Sequence, residues 1–455
     1  MDQAIGVSTH HSHRIITIDS KNPRDSRRAH PVRMKKKHDL FNRLLLRPAS
    51  NNLLQLFLAN TTWRSTTSSP ERSKLHKAYQ ELEQTNVPQM FSLAQKEPES
   101  QPAFDVFLWI AMDKLALSTA FRSYQLQSLE YLTKYHSTNS TVGPLCSYLG
   151  SDWYEWWREP MVDLLKSVVK NSSNPAARAR AINELGRLDA NKSKQPVVDF
   201  LKSVVKNNSV RAIRAQAFYA LGRLDADKSQ TLALFEKIPL YSKNMTTNAL
   251  AEWKTFGSSQ QAAADAESEF NDVIANYSDC LDLRELNSPK EEAPRLKELA
   301  EQNLFALKNL SLGKEAPEIE AEGVGGKKFK LSDSRGKVCV LTFWASWCGP
   351  CMEMVPVERA LAQRMQGKPF CLIGVNGDPS LPNAKRAMER EQMTWPSFWN
   401  GKEGAKGPIA KAWNVKGWPT IYVLDAKGII RFNGEGLDLN ECVDALMKEL
   451  AETSL

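Results

Sequence analysis

The chain is 455 residues long, with 42% hydrophobic and 25% charged residues. That length calls for two or three domains, and that composition for packed globular cores rather than a low-complexity polymer. The formal net charge is +8, but eleven Lys/Arg stand against four acidic residues in the first 50 positions, so the excess belongs to an amino-terminal arm, and no nucleic-acid partner is expected.

Residues 1–70 read as a basic, disordered leader. Five of the seven histidines fall in its first 38 positions, without Cys or acidic partners at metal-ligand spacing, so no metal is expected there. No stretch reaches the roughly 18 apolar residues of a membrane-spanning helix, so no transmembrane segment is expected. The run Leu53–Ala59 is too short and too late for a secretory signal. A start at Met34, ahead of Lys35, Lys36 and Lys37, would bring a basic segment closer to it.

Residues 71–310 read as all-helical. Glycine is sparse, period-two alternation is missing, and segments such as Glu71–Gln84 and Phe121–Tyr135 space apolar residues by three and four. A repeat lies within 161–230: Val162–Lys170 recurs as Val198–Lys206, and Leu185–Ala190 as Leu221–Ala226, always 36 residues on. Each unit holds two helices whose apolar stripes (Leu165, Val168 and Val169; Ala177, Ala181, Leu185 and Leu188) need a neighbour to cover them, so the hairpins should stack. A degenerate unit at 107–150 could precede them. Trp153, Trp156 and Trp157 read as a packing surface before a peptide platform. A protein partner on these repeats is an open expectation. A charged helix, Lys290–Lys308, closes the region.

Composition changes near 311, where glycines and short β-type runs arrive. Residues 311–455 carry the chemistry. Lys337–Ala345 is an apolar strand pattern, Ser346-Trp347-Cys348-Gly349-Pro350-Cys351 a turn, and Met352–Arg364 a helix pattern. Cys348 thus stands at a helix start, where unpartnered N–H groups and the helix dipole favour a thiolate. Pro350 is tolerated because the first turn needs no N–H from it. Cys351 lies one turn on, within reach of a disulfide. Zinc would want a second Cys/His pair, and residues 311–455 contain no histidine. Of the seven cysteines, Cys339 and Cys371 sit in apolar runs and read as small hydrophobes, while Cys146, Cys280 and Cys442 carry no assignment.

The run Phe343–Cys351 resembles the active-site run of thioredoxins. Gly313–Pro317, the Leu331-Ser332-Asp333 approach with Gly336-Lys337, Val355-Pro356, Cys371–Asn376, and Lys416–Thr420 with Tyr422–Gly428 resemble the TlpA/ResA-type redoxin family. The resemblance implies an α/β thioredoxin fold, a central mixed β-sheet flanked by helices, and a thiol–disulfide oxidoreductase that reduces protein disulfides through Cys348 and Cys351. The unidentified partner is a thiol reductant, and no cofactor is implied beyond the redox-active disulfide. It implies that Pro419 is cis beside Cys348 and that Trp418 and Thr420 border a slot for a substrate strand, with Gly349 and Pro350 matching reducing members. Trp347 either shields the disulfide or belongs to the core rim, and both readings stay open. A potential near thioredoxin's, about −270 mV, follows. Thioredoxin's buried acid falls on Thr342 here. Asp378 is the nearest substitute, as general base for Cys351 or as cap of the Gly377–Pro379 loop, and both readings stay open. The resemblance points to the cell envelope or periplasm; a cytoplasmic location is the alternative. Two other functions compete: a peroxiredoxin-like antioxidant, whose Pro and Thr before the reactive cysteine are missing, and an interaction protein of helical repeats with a vestigial redoxin domain.

Overall fold

The computed structural model describes residues 86–112, 119–139, 158–189, 195–237, 257–285, 293–433 and 439–453, with isolated positions at 84, 142 and 255. The leader, the segment 71–83, Cys146, and Trp153, Trp156 and Trp157 lie outside them. The chain clusters into two compact units, residues 1–125 and 126–455. In the first, Phe91 meets Phe107 and Tyr124 edge-on, with ring centroids 5.5 and 5.2 Å apart.

The second unit contains stacked hairpins. Helix α1 spans Arg158–Asn171, α2 Pro175–Asp189, α3 Gln195–Asn207 and α4 Arg211–Lys237. The 36-residue offset recurs in burial. Met161, Leu165 and Val168 are buried in α1, and so are Val197, Leu201 and Val204 in α3. Ala177, Ala181 and Leu185 in α2 match Ile213, Ala217 and Leu221 in α4. Equivalent residues fill equivalent seats because each hairpin must bury its stripe against the next. Helix α5, Ser259–Asn276, is capped by Ser258, whose side chain accepts from the Gln261 N–H. It packs Phe270 against Tyr219 of α4. Helix α6 spans Leu296–Asn309, so the charged helix starts later than the sequence pattern from Lys290 indicates: residues 293 and 294 are not helical and Arg295 bridges to Leu281.

A hairpin of β1 (Glu320–Glu322) and β2 (Lys328–Lys330) leads into a five-stranded sheet. Its strands are β3 (Val338–Trp344), β4 (Phe370–Asn376), β5 (Ser397–Trp399), β6 (Thr420–Leu424) and β7 (Ile430–Asn433). Their order is β5-β4-β3-β6-β7, with β3, β4 and β5 parallel and β6 and β7 antiparallel. Every residue of β3 is buried, as the central strand of a sheet covered on both faces must be. Helix α7 (Gly349–Arg364) follows β3, α8 (Leu381–Arg390) follows β4, and α9 (Leu439–Thr453) ends the fold. Arg364 of α7 reaches Asp444 and Asn440 of α9 at 2.5 and 3.0 Å. This is the thioredoxin-type arrangement of a mixed sheet between helices.

The helical array and the sheet share apolar surface. Ala233 and Leu234 of α4, with Leu310 and Leu312, join the core that contains β3, β4, β6 and β7. The Lys237 ammonium donates to the Leu312 carbonyl at 3.2 Å, and the Asn433 amide to the Leu310 carbonyl at 2.9 Å.

Candidate active site

The sheet topology gathers the site. Strands β3 and β4 run parallel and β6 runs against them, so the ends of β3 and β4 and the start of β6 fall at one edge. Phe343 is the register partner of both Val375 and Thr420. The turn after β3, the Gly377-Asp378 loop after β4 and the Trp418-Pro419 segment before β6 therefore converge.

Cys348 is the N-cap of α7, with Gly349 and Pro350 as the first helical residues. It is joined to Cys351 in a disulfide, with Cα atoms 5.3 Å apart. The Cys348 sulfur also accepts the Cys351 backbone N–H at 3.2 Å. An N-cap side chain normally offers an oxygen to this N–H; here a sulfur occupies that place, next to the positive end of the helix dipole. Both factors stabilise negative charge on Cys348 once the disulfide opens. Both cysteines are buried, Cys348 at 4% exposure.

Trp347, beside Cys348 in the chain, is 54% exposed, its indole N–H donating to the Gly377 carbonyl at 3.3 Å. Its ring lies 5.8 Å from that of Trp418. Trp418 in turn sits against Gly377, where any Cβ would collide with its six-membered ring, and edge-on to Phe343. The Trp418–Pro419 bond is cis. Thr420 opens β6 and donates its hydroxyl to the Gly417 carbonyl at 2.8 Å.

Asp378 is 2% exposed. It accepts the Ser346 N–H at 2.9 Å, the Ser346 hydroxyl at 2.6 Å and the Asn376 amide at 2.7 Å. The carboxylate ties the loop after β4 to the turn two residues before Cys348.

A second buried acid was not singled out in the sequence. Glu358, on α7, is 3% exposed, and Thr342, which occupies the strand position of thioredoxin's acid, acts on its carboxyl. Burial pushes the Glu358 carboxyl up to about 7, against the lowering effect of Thr342. Cys351, Val355, Glu358 and Leu361 form the buried face of α7, so Glu358 lies on the cysteine side of the helix, about two turns beyond Cys351. The legible signal was its place in the stripe at i, i+4, i+7 from Cys351.

The AhpC/TSA family profile matches residues 312–433. The thioredoxin-like protein YneN of Bacillus subtilis is 31% identical over 122 residues, covering 26% of this chain and 68% of YneN. The thiol–disulfide oxidoreductase ResA of Geobacillus kaustophilus is 30% identical over 131 residues, covering 28% of this chain and 72% of ResA. The chain belongs to the ResA-type family of thiol–disulfide oxidoreductases. Among solved structures, the thioredoxin domain of a thiol–disulfide oxidoreductase from Bacteroides vulgatus aligns at 24% identity and a TM-score of 0.28, over 31% of this chain and 99% of that domain. A ResA-type protein is an enzyme of redox chemistry, and the convergent edge of its sheet is where this chain places its closely spaced cysteines. Among the described residues no helix is long and apolar enough to cross a membrane, and no cluster of metal-ligating side chains occurs.

Proposed function

We propose that the chain reduces protein disulfides by dithiol exchange through Cys348 and Cys351. The observation that carries this reading is the Cys348 sulfur seated at the α7 N-cap and accepting the Cys351 N–H. In the reduced enzyme, the Cys348 thiolate attacks one sulfur of a substrate disulfide, forming a mixed disulfide and releasing the other sulfur as a thiolate that takes up a proton. Cys351 then loses its proton and attacks Cys348, so that the Cys348–Cys351 disulfide forms and the second substrate sulfur departs. Two electrons pass to the substrate. A thiol reductant then returns the enzyme to its dithiol form.

Trp347, Trp418 and Thr420 border the surface on which a substrate strand would lie, beside the cis Pro419. Asp378 acts by position, since three hydrogen bonds already engage its carboxylate. Glu358 is the candidate acceptor for the Cys351 proton, from its position on the same buried face of α7. The family resemblance supports a cell-envelope location. The deciding experiment is reduction of insulin by the full chain with dithiothreitol as donor, followed as turbidity. Activity should be lost in Cys348→Ser; an unchanged rate in that variant would overturn the reading.

A further inference from the structure

Away from the active-site edge, the sheet brings two more thiols together. Cys339 of β3 and Cys371 of β4 are register partners on adjacent parallel strands, so their side chains leave the same face of the sheet. Both are free thiols; Cys339 is fully buried and Cys371 half-buried. Each acts on the titration of the other, and Ser334 acts on both. Neighbouring strands lie about 4.8 Å apart, inside the range of about 4.4 to 6.8 Å between the Cα atoms of a disulfide. Cys339 is five residues before the end of β3, about 16 Å along the strand, so these thiols cannot exchange directly with Cys348.

We propose that Cys339 and Cys371 form a second dithiol/disulfide couple, oxidised by low-molecular-weight disulfides and independent of the Cys348–Cys351 pair. The two sulfurs have different parts. Its neighbour Cys339 pulls Cys371 down, with burial opposing that effect and Lys337 adding to it. Cys339 is pushed well up by its Cys371 neighbour and by burial. Cys371, the one with solvent access, is therefore the attacking thiolate. It displaces one thiolate from the small disulfide and holds the other half as a mixed disulfide. Cys339 gives up its proton to the departing thiolate and attacks the Cys371 sulfur, and the second small thiolate leaves and is protonated. Two protein thiols and one small disulfide become one protein disulfide and two small thiols, with two electrons passing to the latter. The product staples β3, which leads to Cys348, to β4, which leads to Asp378.

The test uses the full chain carrying Cys348→Ser and Cys351→Ser, so its outcome does not depend on the proposed reductase activity. The protein is incubated with oxidised glutathione at neutral pH, its remaining thiols are alkylated, and its peptides are mapped by mass spectrometry. The expected result is a peptide pair joined through Cys339 and Cys371, two hydrogens lighter than the separate peptides. It should become the main form of both cysteines and be released by dithiothreitol. Adding Cys371→Ser should abolish the link and leave Cys339 alkylatable after unfolding. Recovery of both cysteines as separately alkylated peptides would overturn the proposal. So would glutathione persisting on Cys371, or links running instead to Cys146, Cys280 or Cys442. The mapping on the parent variant decides the matter even if the Cys371→Ser protein does not fold.

Discussion

Asp378 holds Ser346 at two points, its backbone N–H and its hydroxyl. The loop after β4 thereby fixes the turn that delivers Cys348, although the two segments are 32 residues apart in sequence. Replacing Asp378 by Ala would leave three donors without their acceptor. Buried hydrogen bonds to a charged group contribute about 1.5 to 3 kcal/mol each, non-additively, so a loss of about 3 kcal/mol is expected in urea unfolding. Asp378→Asn, which keeps an acceptor oxygen, should recover part of it. If Asp378 acts by position, both variants slow insulin reduction without changing the shape of its pH profile.

Glu358 predicts a pH dependence of stability. Its carboxyl is raised from 4.5 to about 7 by burial, so the folded chain binds a proton there that the unfolded chain has released. Its protonated form supports the fold fully below pH 4.5, and that contribution is lost as pH rises through 7. In Glu358→Gln the slope of unfolding free energy against pH over this window should flatten, measured by urea titration at several pH values. If Glu358 also accepts the Cys351 proton, the inflection near neutral pH in insulin reduction should disappear in the same variant.

Cys351→Ser should arrest the exchange half-way. With no resolving sulfur, Cys348 remains bound to its substrate, and the complex should appear on a non-reducing gel and vanish with dithiothreitol. A Cys351→Ser protein that turns over insulin at the parental rate would contradict dithiol exchange.

The repeat offers a matched pair of substitutions. Gly186 and Gly222 are equivalent across the 36-residue offset, but their surroundings differ. A Cβ on Gly186 would lie 3.5 Å from the Ala220 carbonyl, an ordinary contact, whereas on Gly222 it would lie 2.8 Å from two carbons of the buried Phe270 ring. Gly186→Ala should stabilise by up to about 1 kcal/mol, from helix propensity. Gly222→Ala should destabilise by about 1 to 3 kcal/mol, through overpacking. Denaturant unfolding of the two single variants checks both signs.

Much of this was legible in the sequence because it is local. A strand pattern, a cysteine pair and a helix pattern within 28 residues define the site edge, and an ungapped offset defines the stacked hairpins. What was not legible depends on partners remote in the chain. Cys339 and Cys371 looked like unrelated small hydrophobes because a parallel crossover sets their register, and nothing near either residue encodes it. Glu358 was overlooked because a glutamate on a helix ordinarily faces water; only Thr342, from another element, shows what it meets. The seat of Trp418 on Gly377 joins two loops 41 residues apart, and neither sequence announces it. A helix start at Lys290 is too early because charge and periodicity do not reveal the bridge from Arg295 to Leu281 that precedes the helix.

Ala233 and Leu234, at the end of the long helix α4, are built into the same core as the sheet strands. The hairpin array is consequently no pennant trailing from a catalytic domain on a loose string. A partner held on its outer faces would be presented at a set distance and bearing from the Cys348 sulfur, as a jig presents a workpiece to a tool. Selectivity among disulfides would then come from reach and angle as much as from affinity.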